Sequence, residues 1–332
     1  MTSAISVSDC TAKPTRNRRH ASYDVHQFSY PSWVENIHIR HTGELIVTQL
    51  MTSNVYLIDP KVARTNVTST TAGVSLLHSY PTGQMLLGIA EVSRDEFYVV
   101  SGNMTSERGS YSVWSLDLRE YDDKSNTGVK AHQITIFPES GLLNGMDTLD
   151  PSNNLVVIAD SWAGLIWVLN VKSGEKSMFL NETETQQREG HAMDVSANGV
   201  KVIRRQGEAD VYFSNTAKEL FCRITVSLST LQKISPVQVL NDAIAIDDFA
   251  IDADNNVAYV AGGRQNTLYS IPLPGGQAEP MIGSLNQTIL AGPTSTAIGR
   301  GVVYIATSGS SQQNPQSGFS EGAKIVAVEV GG

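Results

Sequence analysis

Charge and cysteine are both scarce in this sequence. Of 332 residues, 17% are charged and two are cysteines. Cys10 and Cys222 cannot make a disulfide framework. They allow one bond in an oxidising compartment, or a tail thiol and a small core residue. Basic charge is the scarcer sign, with 24 Lys and Arg against 33 Asp and Glu and a net charge of -9. That balance argues against a nucleic-acid partner, which needs a concentrated cationic surface. Long apolar runs are missing too: stretches such as 154–159 fall far short of the roughly 18 residues that cross a bilayer, so no membrane span is expected. No segment carries a sustained 3.6-residue apolar period with caps, which leaves helices incidental. The first ten residues lack a basic region followed by an apolar one, so no signal peptide is expected in the chain as given. Four Asn-x-Ser/Thr sequons, at Asn66, Asn103, Asn181 and Asn286, match what chance gives in a chain rich in Ser and Thr, and they leave the compartment open.

What is present is apolar and periodic. Hydrophobic residues make up 41% of the chain, enough for a sizeable core. Its length fits two ordinary domains or one large all-β domain. The β-branched runs LIVTQ (45–49), FYVVSG (97–102), LVVIADS (155–161), VYFSNT (211–216), VAYVAGG (257–263) and VVYIATSG (302–309) are each followed by another strand. Each is preceded by a polar residue and a short apolar segment. The unit recurs about every 50 residues, the period of a propeller and not of a helical solenoid. A β-sandwich lacks that regularity. The expected fold is therefore all-β, a six-bladed β-propeller over 30–332, with blades near 33–80, 81–137, 138–185, 186–240, 241–285 and 286–332. Residues 1–29 read as a polar tail with the basic run Arg16-Asn-Arg-Arg19. Within 22–30, alternating Tyr23, Val25 and Phe28 read as a strand that seals the ring against the last blade.

Residues at one repeat position of a propeller form a ring around its axis. Here that position reads Glu35, Leu87, Asn144, His191, Asp247 and Thr294. Converging polar side chains are costly unless they bind a ligand or pair with each other. At this ring, and in Asn144-Gly145 followed by Val157-Ile-Ala-Asp-Ser161, the chain resembles the regucalcin/gluconolactonase superfamily of calcium-dependent propeller hydrolases. Glu35, Asn144 and Asp247 match that pattern, whereas His191 stands where the family has Asn. The segments Trp33-Val-Glu-Asn36, Gly43-Glu-Leu-Ile-Val-Thr48 and Tyr56-Leu-Ile-Asp-Pro60 resemble a fungal branch that includes hetero-Diels–Alderases of tropolone–sesquiterpenoid pathways. Calcium takes six to eight oxygen ligands, which an imidazole does not supply. On that ground no cofactor is expected. The alternative is a divalent metal such as calcium held by Glu35, Asn144, His191 and Asp247.

The loops on the same face supply the expected pocket wall. Trp162 offers a ring to stack on a flat substrate or to cap a blade seam. Trp33 and Met51 offer apolar surface, and Asn215 and Arg264 polar contacts. His191, oriented by Asp247, is the expected hydrogen-bond donor and catalytic group. Gly318-Phe-Ser-Glu-Gly322 fits a nucleophile motif but precedes a strand, with no helix to form the elbow. Asp252-Ala-Asp-Asn-Asn256 begins like a calcium loop, yet lacks its central Gly and terminal Glu and reads as a hairpin turn. No phosphate-binding loop follows a strand, which argues against a nucleotide cofactor. Three functions follow. The resemblance implies a small-molecule enzyme coupling a quinone methide to a terpene alkene by a hetero-Diels–Alder reaction. The others are a metal-dependent lactonase or esterase, and a non-catalytic scaffold.

Overall fold

The β-branched runs become strands wherever Gly, Asn or Pro turns bound them. The structure, a computed structural model, describes residues 20–65, 72–105, 107–309 and 320–331. It opens with strand β1 (Ser22–Gln27). A first sheet follows, of β2 (Val34–Ile39), β3 (Leu45–Gln49), β4 (Asn54–Ile58) and β5 (Val74–Ser79), with the single-turn helix α1 (Pro60–Ala63) between its last two strands. The second contains β6 (Gln84–Ser93), β7 (Glu96–Asn103), β8 (Tyr111–Asp117) and β9 (Lys130–Phe137). The third contains β10 (Leu143–Asp150), β11 (Leu155–Asp160), β12 (Leu165–Asn170) and β13 (Lys176–Leu180). The fourth contains β14 (Ala197–Arg205), β15 (Glu208–Asn215), β16 (Leu220–Ser227) and β17 (Gln238–Asn241). The fifth contains β18 (Phe249–Asp252), β19 (Val257–Gly262), β20 (Thr267–Pro272) and β21 (Glu279–Gly283). The last has β22 (Pro293–Gly299), β23 (Val302–Thr307) and β24 (Lys324–Glu329), and takes β1 as its fourth strand. The first five sheets are antiparallel meanders, the sixth is antiparallel with β1 added to its outer edge, and the six form a six-bladed propeller.

Closure depends on β1. Ser22 pairs with Val328 and Gln27 with Lys324, so the sixth sheet carries strands from both ends of the fold. Val25, inside β1, is fully buried among Ile325, Ala327, Val34 and Val47. The expected sealing segment thus supplies β1. The basic run, Cys10, Asn66 and most of the Ser/Gln-rich stretch before β24 lie outside the described residues. Cys222 is buried, and burial pushes its thiol up to about 12.

Apolar packing is divided into wedges between neighbouring blades. Successive residues of a strand point to opposite faces. Along β11, Val156 and Ile158 join a cluster with the second blade, while Val157 joins one with the fourth. That double burial explains why these strands are continuously apolar. Buried hydroxyls then tie blade to blade. Thr48 donates to Leu87 O at 2.8 Å, Ser161 to Ala197 O at 2.7 Å, Ser214 to Asp247 O at 2.8 Å and Thr294 to Val34 O at 2.8 Å.

The axis itself is built from the residue after each ring position. These are Asn36, Gly88, Gly145, Gly199, Asp248 and Ser295. Three consecutive blades use glycine because their inner strands approach too closely for a side chain. A Cβ on Gly88 would lie 2.5 Å from Asn144 O, one on Gly145 2.6 Å from Asn198 O, and one on Gly199 2.8 Å from Asp248 Cα. The other three blades fill the space with a polar node. Asp248 accepts from Lys201 Nζ at 2.7 Å to each oxygen, from Asn36 Nδ2 at 3.1 Å, from Ser295 Oγ at 2.9 Å and from the Phe249 N–H at 2.8 Å.

Asp248→Ala should destabilise the fold by about 3 kcal/mol, because it strands the Lys201 ammonium among neighbouring blades. Lys201→Met should cost less, since Asp248 keeps three other donors. Gly199→Ala should cost about 1–3 kcal/mol through overpacking. Urea unfolding midpoints compared at constant slope check all three.

Candidate active site

The ring forms where the innermost strands begin, but its fourth member is not the one expected. Asn198, at the start of β14, stands in register with Asn144 on β10. His191 lies earlier, in a turn where its N–H bonds Arg188 O and its carbonyl accepts from the Asp194 N–H. Its side chain is 56% exposed, with Nδ1 3.9 Å from Asp194 Oδ2. The phrase His191-Ala-Met-Asp imitates Asn144-Gly-Met-Asp in sequence only. A glycine must follow the ring residue in this blade, and Gly199 meets that requirement whereas Ala192 does not. The ring therefore reads Glu35, Leu87, Asn144, Asn198, Asp247 and Thr294.

A cavity of about 430 Å³ opens over this ring. Of the expected residues, Trp33, Glu35, Asn144, Asp247 and Arg264 line it. Asn198, Met193, Asp194 and Thr216 complete the wall, and sequence reasoning had placed none of them there. Asn198 Nδ2 donates to Asp247 Oδ1 at 2.8 Å and to Thr216 Oγ1 at 2.9 Å, which fixes the amide and the carboxylate together. Asn144 Nδ2 donates to Ser161 Oγ at 3.3 Å. Asp194 is held by Arg188 at 2.6 Å, and that guanidinium keeps its carboxyl below the ordinary range.

Glu35 is the unusual group. It is only 7% exposed, and the Trp33 indole N–H donates to its carboxylate. Burial pushes its carboxyl up to about 7; the indole bond opposes the shift, and the Asp248 carboxylate adds to it. A carboxylic acid that titrates near neutrality can both give and take a proton at working pH.

The remaining expected residues lie outside this wall. Asn215 is fully buried and its amide is committed: it donates to Glu184 O at 2.8 Å and Gln186 O at 2.9 Å, and accepts from the Lys218 N–H at 3.0 Å. It clamps the loop between β13 and β14. Trp162 is half-buried under the Arg108 guanidinium, 5.6 Å from its ring centroid, and Arg108 also donates to Ala192 O at 3.1 Å. Met51 is 48% exposed in the turn after β3. None of these three lines the cavity, and neither does His191.

The corrected ring changes the reading of a metal. Its two carboxylates and two side-chain amides supply only hard donors, and a buried carboxylate such as Glu35 is one that a cation would stabilise. This donor set fits calcium. The expectation of no metal rested on an imidazole at the fourth position, and the fold puts an amide there.

The raised Glu35 value carries a sign. The protonated carboxyl contributes stability that is fully present below its ordinary value of 4.5 and is lost as pH rises through about 7. In chelator-treated buffer, denaturation midpoints should fall between pH 5 and pH 8 by more in the wild type than in Glu35→Gln. Equal slopes in the two proteins would refute the assignment.

No family model matches the chain. Over 306 residues it is 26% identical to a Phoma sp protein named "Putative hetero-Diels-Alderase", covering 83% of this chain and 82% of that protein. It is 24% identical over 203 residues to a protein of the same description from Sarocladium schorii, covering 54% of this chain and 48% of that relative. Among solved structures it superimposes on the calcium-binding protein regucalcin of Agrobacterium tumefaciens with a TM-score of 0.55 at 12% identity, over 92% of this chain and 96% of that one. The structural likeness shows a common fold. In sequence, the chain resembles proteins that bear the hetero-Diels-Alderase name.

Proposed function

We propose that this protein is a pericyclase of fungal natural-product biosynthesis. It joins a quinone methide, derived from a hydroxymethyl tropolone or arene, to a terpene alkene by a hetero-Diels–Alder reaction. One observation carries the proposal: a buried carboxyl raised to about 7 lies beside an indole in a cavity of about 430 Å³. The chain's similarity to relatives with that name supports the choice of reaction.

Glu35 takes the role that the sequence reading gave to His191. Protonated, it gives its proton to the hydroxymethyl oxygen, and water departs. The ring hydroxyl then loses its proton, which restores the neutral carboxyl and leaves the quinone methide. Glu35 next donates a hydrogen bond to the quinone methide oxygen and lowers its acceptor orbital. One well-aimed donor of this kind is typically worth about 3 kcal/mol. Trp33 presents the flat face against the diene, Met193 adds apolar wall, and Arg264 at the rim offers a second polar contact. Holding both partners aligned supplies up to about 7–11 kcal/mol in favourable intramolecular cases. The new ring forms without any further group from the protein.

The Glu35, Asn144, Asn198 and Asp247 oxygens favour a second reading, a metal-dependent lactonase or esterase. If these residues hold calcium, the ion would supply Lewis-acid polarisation of a substrate oxygen. A concave site lined by a titrating carboxyl argues against a purely passive scaffold.

A single panel separates these readings: lactones, and a hydroxymethylated tropolone with a medium-ring terpene alkene, each with and without chelator, read by chiral chromatography. The wild type should enrich one cycloadduct stereoisomer. Glu35→Gln should slow its formation by about a hundredfold, the lower end for a lost general acid. Trp33→Ala should retain turnover and lose facial control. His191→Ala should change neither quantity. Product ratios identical with and without protein would overturn the pericyclase reading, and chelator-sensitive lactone hydrolysis would establish the other.

A further inference from the structure

A larger cavity, of about 600 Å³, lies at the opposite end of the inner strands. Glu35 stands near the start of β2, whereas this cavity is walled by Ile39 at its end and by the hairpin that follows. The strand rise separates the two sites by about 13 Å along the axis. The cavity sits at the closure seam. Its wall comes from β1, the β2–β3 hairpin, α1, the β22–β23 hairpin and, through Tyr121 and Asp123, the loop between β8 and β9. The floor is aromatic and aliphatic, with Tyr23 of β1 and Tyr304 of β23 beside Ile39 and Val302.

The rim is cationic. Lys61, Arg64 and Arg300 all border the cavity, and none forms an ion pair with a carboxylate among the described residues. The wall also carries acidic groups. Glu44 is held by Arg40 at 3.0 Å, Asp59 caps α1 through the Lys61 N–H at 2.9 Å, and Asp123 stands two residues from Tyr121. The Arg64 guanidinium lies 5.3 Å from the Tyr23 ring centroid. Burial pushes the Tyr304 phenol up, Tyr23 and the Asp59 carboxylate add to that shift and Arg300 and Arg64 act against it, so both guanidinium groups and Asp59 lie near its hydroxyl. In a chain of net charge -9, three cations border one cavity with no ion pair among the described residues, although Glu44, Asp59 and Asp123 share the wall. An apolar floor under such a rim is the recognition pattern for a flat anion.

We propose that this seam cavity is a second ligand site, distinct from the ring, which takes a small aromatic carboxylate. The aromatic part packs on Tyr23, Tyr304, Ile39 and Val302, and the carboxylate is held between Arg64 and Arg300. Because Tyr23 belongs to β1, and Val302 and Tyr304 to β23, the ligand touches the closing strand and another strand of the same sheet. Its binding is therefore linked to the integrity of the ring.

The test uses 1-naphthoate as probe and 1-naphthalenemethanol as its uncharged control, by titration calorimetry on the full chain. Naphthoate should bind saturably at one site, more tightly at low salt, and the alcohol at least about tenfold more weakly. Arg64→Gln combined with Arg300→Asn should weaken naphthoate by at least about tenfold. Asparagine suits the positive φ of 52° at position 300, so the hairpin survives that change. Lys61→Gln, on exposed α1, gives an independent variant that should weaken binding in the same direction. Glu35→Gln should bind naphthoate like the wild type, which separates this site from the ring. Hydrogen exchange along β1 should slow on binding. Absence of saturable binding, equal affinity for the alcohol, or loss of binding in Glu35→Gln alone would overturn the proposal.

Discussion

The Lys201–Asp248 ion pair is the contact on which the axial arrangement depends. Asp248 follows the ring residue of the fifth blade, Lys201 comes from the fourth, and Asn36 and Ser295 bring in the first and the sixth. A single carboxylate thus gathers four of six blades at the axis. Apolar packing acts only between neighbours, one wedge per seam, and does not by itself fix how the blades sit around a common centre. The polar node does so, through directional bonds that a slipped blade would leave unmade in a dry interior. The glycines at 88, 145 and 199 complete the arrangement on the other side, where backbone replaces side chain.

The same node acts on the chemistry above it. Asp248 lies one residue below the ring, and its negative charge contributes to holding the Glu35 proton. Burial alone supplies most of that shift, and the Trp33 indole works against it. The acid is therefore set by its burial and by two groups from two blades, Trp33 and Asp248, the second of which also holds the scaffold together. Structure and reactivity are coupled here through electrostatics at short range in a low-dielectric interior.

The repeat, the number of blades and the sealing strand were all legible, because each blade buries both faces and so writes itself as a run of β-branched residues. The ring was legible wherever the ring residue and the strand after it kept their usual spacing. At the fourth blade a long loop carries His191-Ala-Met-Asp, which copies the side chains of the third blade without its glycine. Steric crowding at the axis, not side-chain identity, was the reliable signal, and Asn198-Gly199 carried it. Trp162 and Asn215 illustrate a different limit. Both lie on the expected face, but Arg108 covers one and three backbone groups occupy the other. Which groups saturate a side chain depends on segments far away in the chain, and composition does not reveal it. The raised pKa of Glu35 was hidden for the same reason, since its burial and the charge of Asp248, distant in sequence, act on it only in the closed fold.

The pairing of β1 with β24 also sets a timetable. Ser22 meets Val328, so among the described strands the first is captured by the last. During synthesis, five blades can assemble in order while the sixth waits for β24. Until β24 arrives, Val25 and its neighbours in that seam face water, and the first blade offers its uncovered flank to any other nascent chain. Contacts so distant in sequence are reached slowly, because a very long loop must close before they contribute anything. Closure of the ring is thus a late step, governed by how long an open ring survives before β24 pairs with β1.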